Sequence, residues 1–85
     1  MLFLAHTIPM SNRRTHGPAI RAIREALGVT QDNLASSCDV SPSYMSRVEA
    51  GIKQPSEELV TAICNRLAIK KDAITYAVPT QELAA

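Results

Sequence analysis

Between Thr30 and Gly51 the chain reads TQDNLASSCDVSPSYMSRVEAG. Ser41 and Ser43 stand at the opening of a helix and Arg47 follows one turn further on, so small hydroxyls are joined by a guanidinium. Side chains of this kind can exchange hydrogen bonds with base-pair edges and phosphate oxygens. Ahead of them, a short helix opening at Thr30 leads into a tight turn around Asp39. Two helices joined by so short a turn have the shape that enters a DNA major groove.

No other chemistry is laid out as clearly. His6 and His16 fall in the N-terminal segment without a Ser-His-Asp or Cys-His arrangement, so an enzyme is not expected. Cys38 and Cys64 lie far apart and outside any CxxC spacing, which points to free buried thiols rather than a metal site or disulfide framework. No cofactor, metal or small-molecule ligand is expected.

A chain of 85 residues holds one small domain with a modest core. Apolar residues at 46% and charged ones at 20% suit a globular helical unit rather than a disordered chain. A net charge of +1 is weak support for nucleic-acid binding, but its distribution is uneven. Arg13, Arg14, Arg21 and Arg24 crowd the first third, whereas Glu57, Glu58, Asp72 and Glu82 weight the last third towards acid. The opening MLFLA lacks a basic n-region and a clear cleavage site, and no stretch is long enough to span a bilayer, so a cytoplasmic protein without membrane partners is expected.

The elements that must position these groups can be read in order. Residues 1–16 are expected to form an N-terminal arm, 17–78 the folded domain and 79–85 a tail. Pro18 sits at the first helical position, where its missing N–H costs nothing. Ile20, Ile23 and Leu27 predict one buried stripe, Arg21 and Glu25 pair at i, i+4, and Gly28 stops the helix in a left-handed conformation. Thr30 caps the second helix, with Leu34, Ala35 and Cys38 inside, and Asp39 takes a positive φ in the turn. Ser41 caps the third helix with Pro42 at its first position, Met45 and Val48 face inward, and Gly51 ends it. Ser56 caps a fourth helix, with Glu57 and Glu58 at the positive end of its dipole and a stripe of Leu59, Ile63 and Leu67. A short fifth helix is predicted over Lys70 to Ala77, with Ile74 inward.

Three spaced marks, IRxxREALGVTQxxLA, VSxSYMSRVEAG and PSEELVTAICNRLAI, carry a family resemblance. From Pro18 to Ala77 the chain resembles the Cro-like, xenobiotic-response-element-type helix-turn-helix domain of phage repressors and bacterial regulators. The resemblance implies an all-α fold: a compact, lambda-repressor-like bundle of about five short helices, with helices 2 and 3 as the helix-turn-helix. It also implies residue roles. Ser41, Pro42, Ser43 and Arg47 match positions that face base edges, and Arg47 has the reach for a bidentate contact to guanine. Gln31 matches a residue that clamps phosphate at a helix N-terminus, Tyr44 and Ser46 lie towards the backbone, and Lys53 and Gln54 fall in a phosphate-touching loop. Arg24 and Glu49 match a structural salt bridge between helices 1 and 3. Three residues depart from the pattern: Asp39 stands where a turn glycine is usual, Pro42 cannot donate a hydrogen bond, and Cys38 is smaller than the usual leucine.

The leading expectation is therefore a sequence-specific regulator of transcription, a homodimer on a palindromic double-stranded DNA operator. In the arm, Arg13 and Arg14 can reach a minor groove or phosphates. Alternatively the arm is an inert lead-in with Met10 as initiator, or MLFLA packs as a strand on a partner subunit. A second class of function stays open: a protein-interaction module, such as an antitoxin or anti-repressor, that binds a protein partner with the same fold. The acidic last third and the low net charge favour that alternative.

Overall fold

A computed structural model describes residues 13–78. Its elements run β1 (Arg13–Thr15), α1 (Gly17–Ala26), α2 (Gln31–Ser37), α3 (Pro42–Glu49), α4 (Glu57–Leu67), a single 3-10 turn (Lys71–Ala73) and β2 (Thr75–Ala77). The helical bundle expected from the sequence is present, with α2 and α3 joined by the tight turn. The tail and most of the expected arm, including Met10 and MLFLA, lie outside the described residues.

The starts of α2, α3 and α4 follow the sequence closely, because each is fixed by a local hydroxyl. Thr30 accepts from the Asn33 N–H at 3.0 Å, Ser41 from the Tyr44 N–H at 3.0 Å and Ser56 from the Leu59 N–H at 3.1 Å. Gly28 has φ 74° after α1, and Asp39 has φ 63° in the turn between α2 and α3. A backbone this tight requires the left-handed region, which Asp tolerates better than most residues with a Cβ. Leu34, Ala35, Met45, Val48, Leu59, Ile63 and Leu67 then meet in one core with Ile20 and Ile74. Cys38 and Cys64 are buried free thiols, and burial pushes both thiols up from their usual range, partly offset by Arg66 and Lys71 respectively.

Two expectations are corrected. Lys70 to Ala77 is not a fifth helix: a 3-10 turn buries Ile74, and Thr75 to Ala77 turn outwards to pair antiparallel with β1. Opposed residues are Arg13 and Ala77, Arg14 and Tyr76, and Thr15 and Thr75. The His16 N–H continues the ladder to the Ile74 carbonyl at 2.7 Å. The sheet therefore ties the residue just before α1 to the residues that follow the last turn, a short two-stranded addition to the helical bundle. Leu27 is not in the buried stripe, being 55% exposed. The inward face of α1 is instead Gly17, Ile20 and Arg24, spaced i, i+3, i+7, because a charged residue takes the inner position. The close of α4 was also unmarked in the sequence: Ala68 adopts φ 57°, and the Ile69 N–H donates back to the Cys64 carbonyl at 3.0 Å.

Gly17 sets the distance between α1 and α3. A methyl group there would lie 2.8 Å from the Glu49 carbonyl oxygen and closer still to that of Val48, both backbone atoms that cannot swing aside. Gly17→Ala is therefore expected to cost about 1–3 kcal/mol, as overpacking does, measured by urea unfolding. An unchanged midpoint would show that α1 does not approach α3 this closely.

Candidate nucleic-acid interface

The surface of α3 is built from two opposed faces. Met45, Val48 and Glu49 are buried, which leaves Pro42, Ser43, Ser46, Arg47 and Ala50 exposed and Tyr44 half-buried against the core. Ser43, Arg47 and Ala50 fall at i, i+4, i+7 and so form one outward stripe. Ser41 is spent on the cap, its Oγ accepting from Tyr44. Pro42 supplies the fixed φ that opens the helix. Among the described residues no carboxylate lies within ion-pair distance of Arg47, so its guanidinium is not committed within the fold.

Glu49 sits on the opposite face and is the centre of a buried network. Arg24 Nε donates to Glu49 Oε2 at 2.7 Å and Arg24 Nη2 to Glu49 Oε1 at 3.0 Å, a bidentate contact between α1 and α3. Arg24 Nη1 donates to the Val29 carbonyl at 2.9 Å, and Gln31 Nε2 donates to Glu49 Oε1 at 3.1 Å. Arg24 is 7% exposed and Glu49 3%. The hydrogen bonds that Arg24 donates to Glu49 raise its guanidinium above the usual range despite burial, so the cation is retained. The network thus seats Gln31 at the N-terminus of α2. One amide hydrogen of Gln31 is engaged, and its carbonyl oxygen and second hydrogen have no partner among the described residues.

The loop after α3 is held to that helix through its backbone. The Ile52 and Lys53 N–H groups both reach the Arg47 carbonyl, at 3.0 and 3.3 Å. Lys53 is exposed, whereas the Gln54 amide is occupied: it accepts from the Thr15 N–H at 3.0 Å and donates to the Thr15 carbonyl at 3.2 Å. Arg13 is likewise occupied, with Nη2 on Asp72 Oδ1 at 3.1 Å and Nε on Thr75 Oγ1 at 3.1 Å. Arg14 is exposed. The structure therefore brings Gln31, Ser43, Ser46, Arg47 and Lys53 onto or beside the α2–α3 unit and draws Arg13 and Gln54 into the sheet. Sequence reading had no signal for the sheet contacts, nor for Arg66, which bridges α4 to α2 through Ser37 Oγ at 3.2 Å and Asn33 Oδ1 at 2.7 Å.

Comparison with known proteins agrees with this geometry. A family model described as a helix-turn-helix domain matches residues 17–74. The transcriptional regulator ClgR of Mycobacterium tuberculosis is 40% identical over 55 residues, covering 65% of this chain and 49% of that protein. The chain thus spans about half the length of that relative. The crystal structure of the clp gene regulator ClgR from Corynebacterium glutamicum superposes with a TM-score of 0.65 at 40% identity, over 67% of this chain and 62% of the other. The P22 c2 repressor, crystallised in complex with a synthetic operator, gives a TM-score of 0.62 at 30% identity, over 66% and 85%.

Removing Arg24 would leave the Glu49 carboxylate buried without its cation. Arg24→Ala is expected to destabilise the domain by about 3–5 kcal/mol, whereas Arg21→Ala, which breaks an exposed pair with Glu25, should cost no more than about 1 kcal/mol. Equal losses in chemical denaturation would contradict the central place given to the buried network.

Proposed function

The chain belongs to the helix-turn-helix domain family, in its Cro-like, repressor-type branch, and we propose that it regulates transcription by binding a specific double-stranded DNA site. The observation that carries this reading is the division of α3. Its apolar and ionic side is locked into the core, while Ser43, Ser46 and an uncommitted Arg47 are presented outwards on a rigid helix.

In this reading α3 lies in the major groove. Arg47 reads a guanine through O6 and N7, Ser43 supplies the second base contact, and Ser41 and Pro42 abut the bases at the leading end. Pro42 offers no donor, so readout rests mainly on Ser43 and Arg47. Gln31, Tyr44, Ser46 and Lys53 hold phosphates on either side and fix the register of α3. Asp39 places a negative charge near the DNA, and sequence-dependent duplex shape contributes to specificity. Two copies bind as a homodimer on a palindromic site, with half-sites about 34–36 Å apart, and cover a promoter in the cytoplasm.

The reading is supported by the P22 c2 repressor, which shares the fold and was solved on an operator. Selection of bound sequences from a random duplex pool should return a palindrome with a guanine in each half-site. Arg47→Ala should then weaken binding to that site by about 1–3 kcal/mol and relax selection at the guanine. Unchanged affinity and selectivity in this variant would remove α3 as the reading element. Failure of the wild-type protein to retain any duplex at low salt would favour a protein partner instead.

A further inference from the structure

The basic residues of the described chain divide sharply. Arg13, Arg21, Arg24 and Arg66 are tied to Asp72, Glu25, Glu49 and the Ser37–Asn33 pair. Arg14 and Lys53, like Arg47, Lys70 and Lys71, have no such partner among the described residues, and both are exposed. They are far apart in sequence but not in space, because Thr15 and Gln54, the residues that follow each of them, grip one another. The side-chain amide of Gln54 makes two hydrogen bonds with the backbone of Thr15, at 3.0 and 3.2 Å, and so acts as a strand would on the outer edge of β1.

We propose that this clasp makes Arg14 a phosphate contact, forming with Lys53 a basic ridge beside the C-terminal end of α3. Alternation along β1 fixes which arginine is available. Thr15 is buried and Arg13 turns to Thr75 and Asp72, so Arg14 projects from the opposite face of the two-stranded sheet. The ridge is rigid as well as basic. Gln54 binds β1 to the loop, the Lys53 N–H binds the loop to the Arg47 carbonyl, and β2 pairs with Arg14 itself through Tyr76. Two neighbouring cations without a carboxylate repel each other, and an anionic oxygen between them relieves that repulsion. The flank of α3 opposite Gln31 thereby gains its own grip on the backbone. The inference rests on the reading of the chain as a DNA-binding domain. In it Gln54 is a positioning residue that acts through Arg14 rather than by touching phosphate.

The test uses the whole chain and a fluorescein-labelled 30-base-pair duplex of random sequence, with binding followed by anisotropy from about 50 to 200 mM salt. Each lost phosphate contact lowers the slope of log K against log salt by about 0.9, which is about a 3.5-fold smaller change in affinity over that range. Arg14→Ala should show this loss, Arg14→Lys should retain the wild-type slope, and Arg13→Ala should leave it unchanged. Gln54→Leu should lose the same increment, with no further loss in the double variant with Arg14→Ala. Thermal melts confirm that each variant is folded, and Arg14, being exposed, is the variant on which the result stands. A wild-type slope in Arg14→Ala, with Lys53→Ala flattened, overturns the ridge and leaves the DNA-binding reading intact. Absence of any binding by the wild-type chain overturns both.

Discussion

A single buried carboxylate organises this domain. Glu49, on the inner side of α3, receives two hydrogen bonds from Arg24 of α1 and one from Gln31 of α2, while Arg24 also holds the carbonyl of Val29 in the loop between those helices. Three helices and their connection are therefore referred to one pair of oxygen atoms. Taking both ions out of water costs several kcal/mol each, and the pair is not expected to outdo a well-packed apolar substitute in stability. What it supplies is geometry: a bidentate guanidinium–carboxylate contact admits few relative orientations, whereas apolar side chains admit many. Gly17 complements it by letting the α1 backbone approach the end of α3 where a Cβ would forbid contact.

That rigidity has a functional consequence. In the proposed reading α3 carries its reading groups within one outward turn and a half, and a small rotation would move Arg47 away from a base edge. The same carboxylate that fixes α3 also holds the Gln31 amide, so in the proposed reading the phosphate grip at the start of α2 and the base contacts of α3 share one anchor. Charge is distributed accordingly. Arginines with structural duties are paired inside or along the surface; among the described residues the cations without a carboxylate partner are Arg14, Arg47, Lys53, Lys70 and Lys71, of which Arg14, Arg47 and Lys53 belong to the sheet, to α3 and to the loop between α3 and α4.

Much of this was legible in the sequence where the determinant is local. The hydroxyl caps at Thr30, Ser41 and Ser56, the left-handed Gly28 and Asp39, and the exposed Arg21–Glu25 pair all depend on residues within four positions of one another. The Arg24–Glu49 pair is not local and was reachable only through the family pattern. The β1–β2 sheet was illegible because each strand is three residues long, too short for a periodicity, and its pairing joins opposite ends of the described chain. For the same reason Arg13 and Gln54 looked free. Leu27 was misplaced because an apolar stripe was assumed to define the inner face, when Arg24 had claimed it. Ala68 left no signal, since a left-handed close to α4 is ordinarily announced by glycine.

The account is tested most directly by following backbone amide resonances of the chain as a duplex is added. If α3 reads the groove and Gln31 and Lys53 hold the flanks, the largest shifts will fall at Gln31, Ser43, Arg47 and Lys53, with α4 nearly silent. Shifts concentrated on α4 and the acidic residues Glu57 and Glu58, with α3 unmoved, would contradict it.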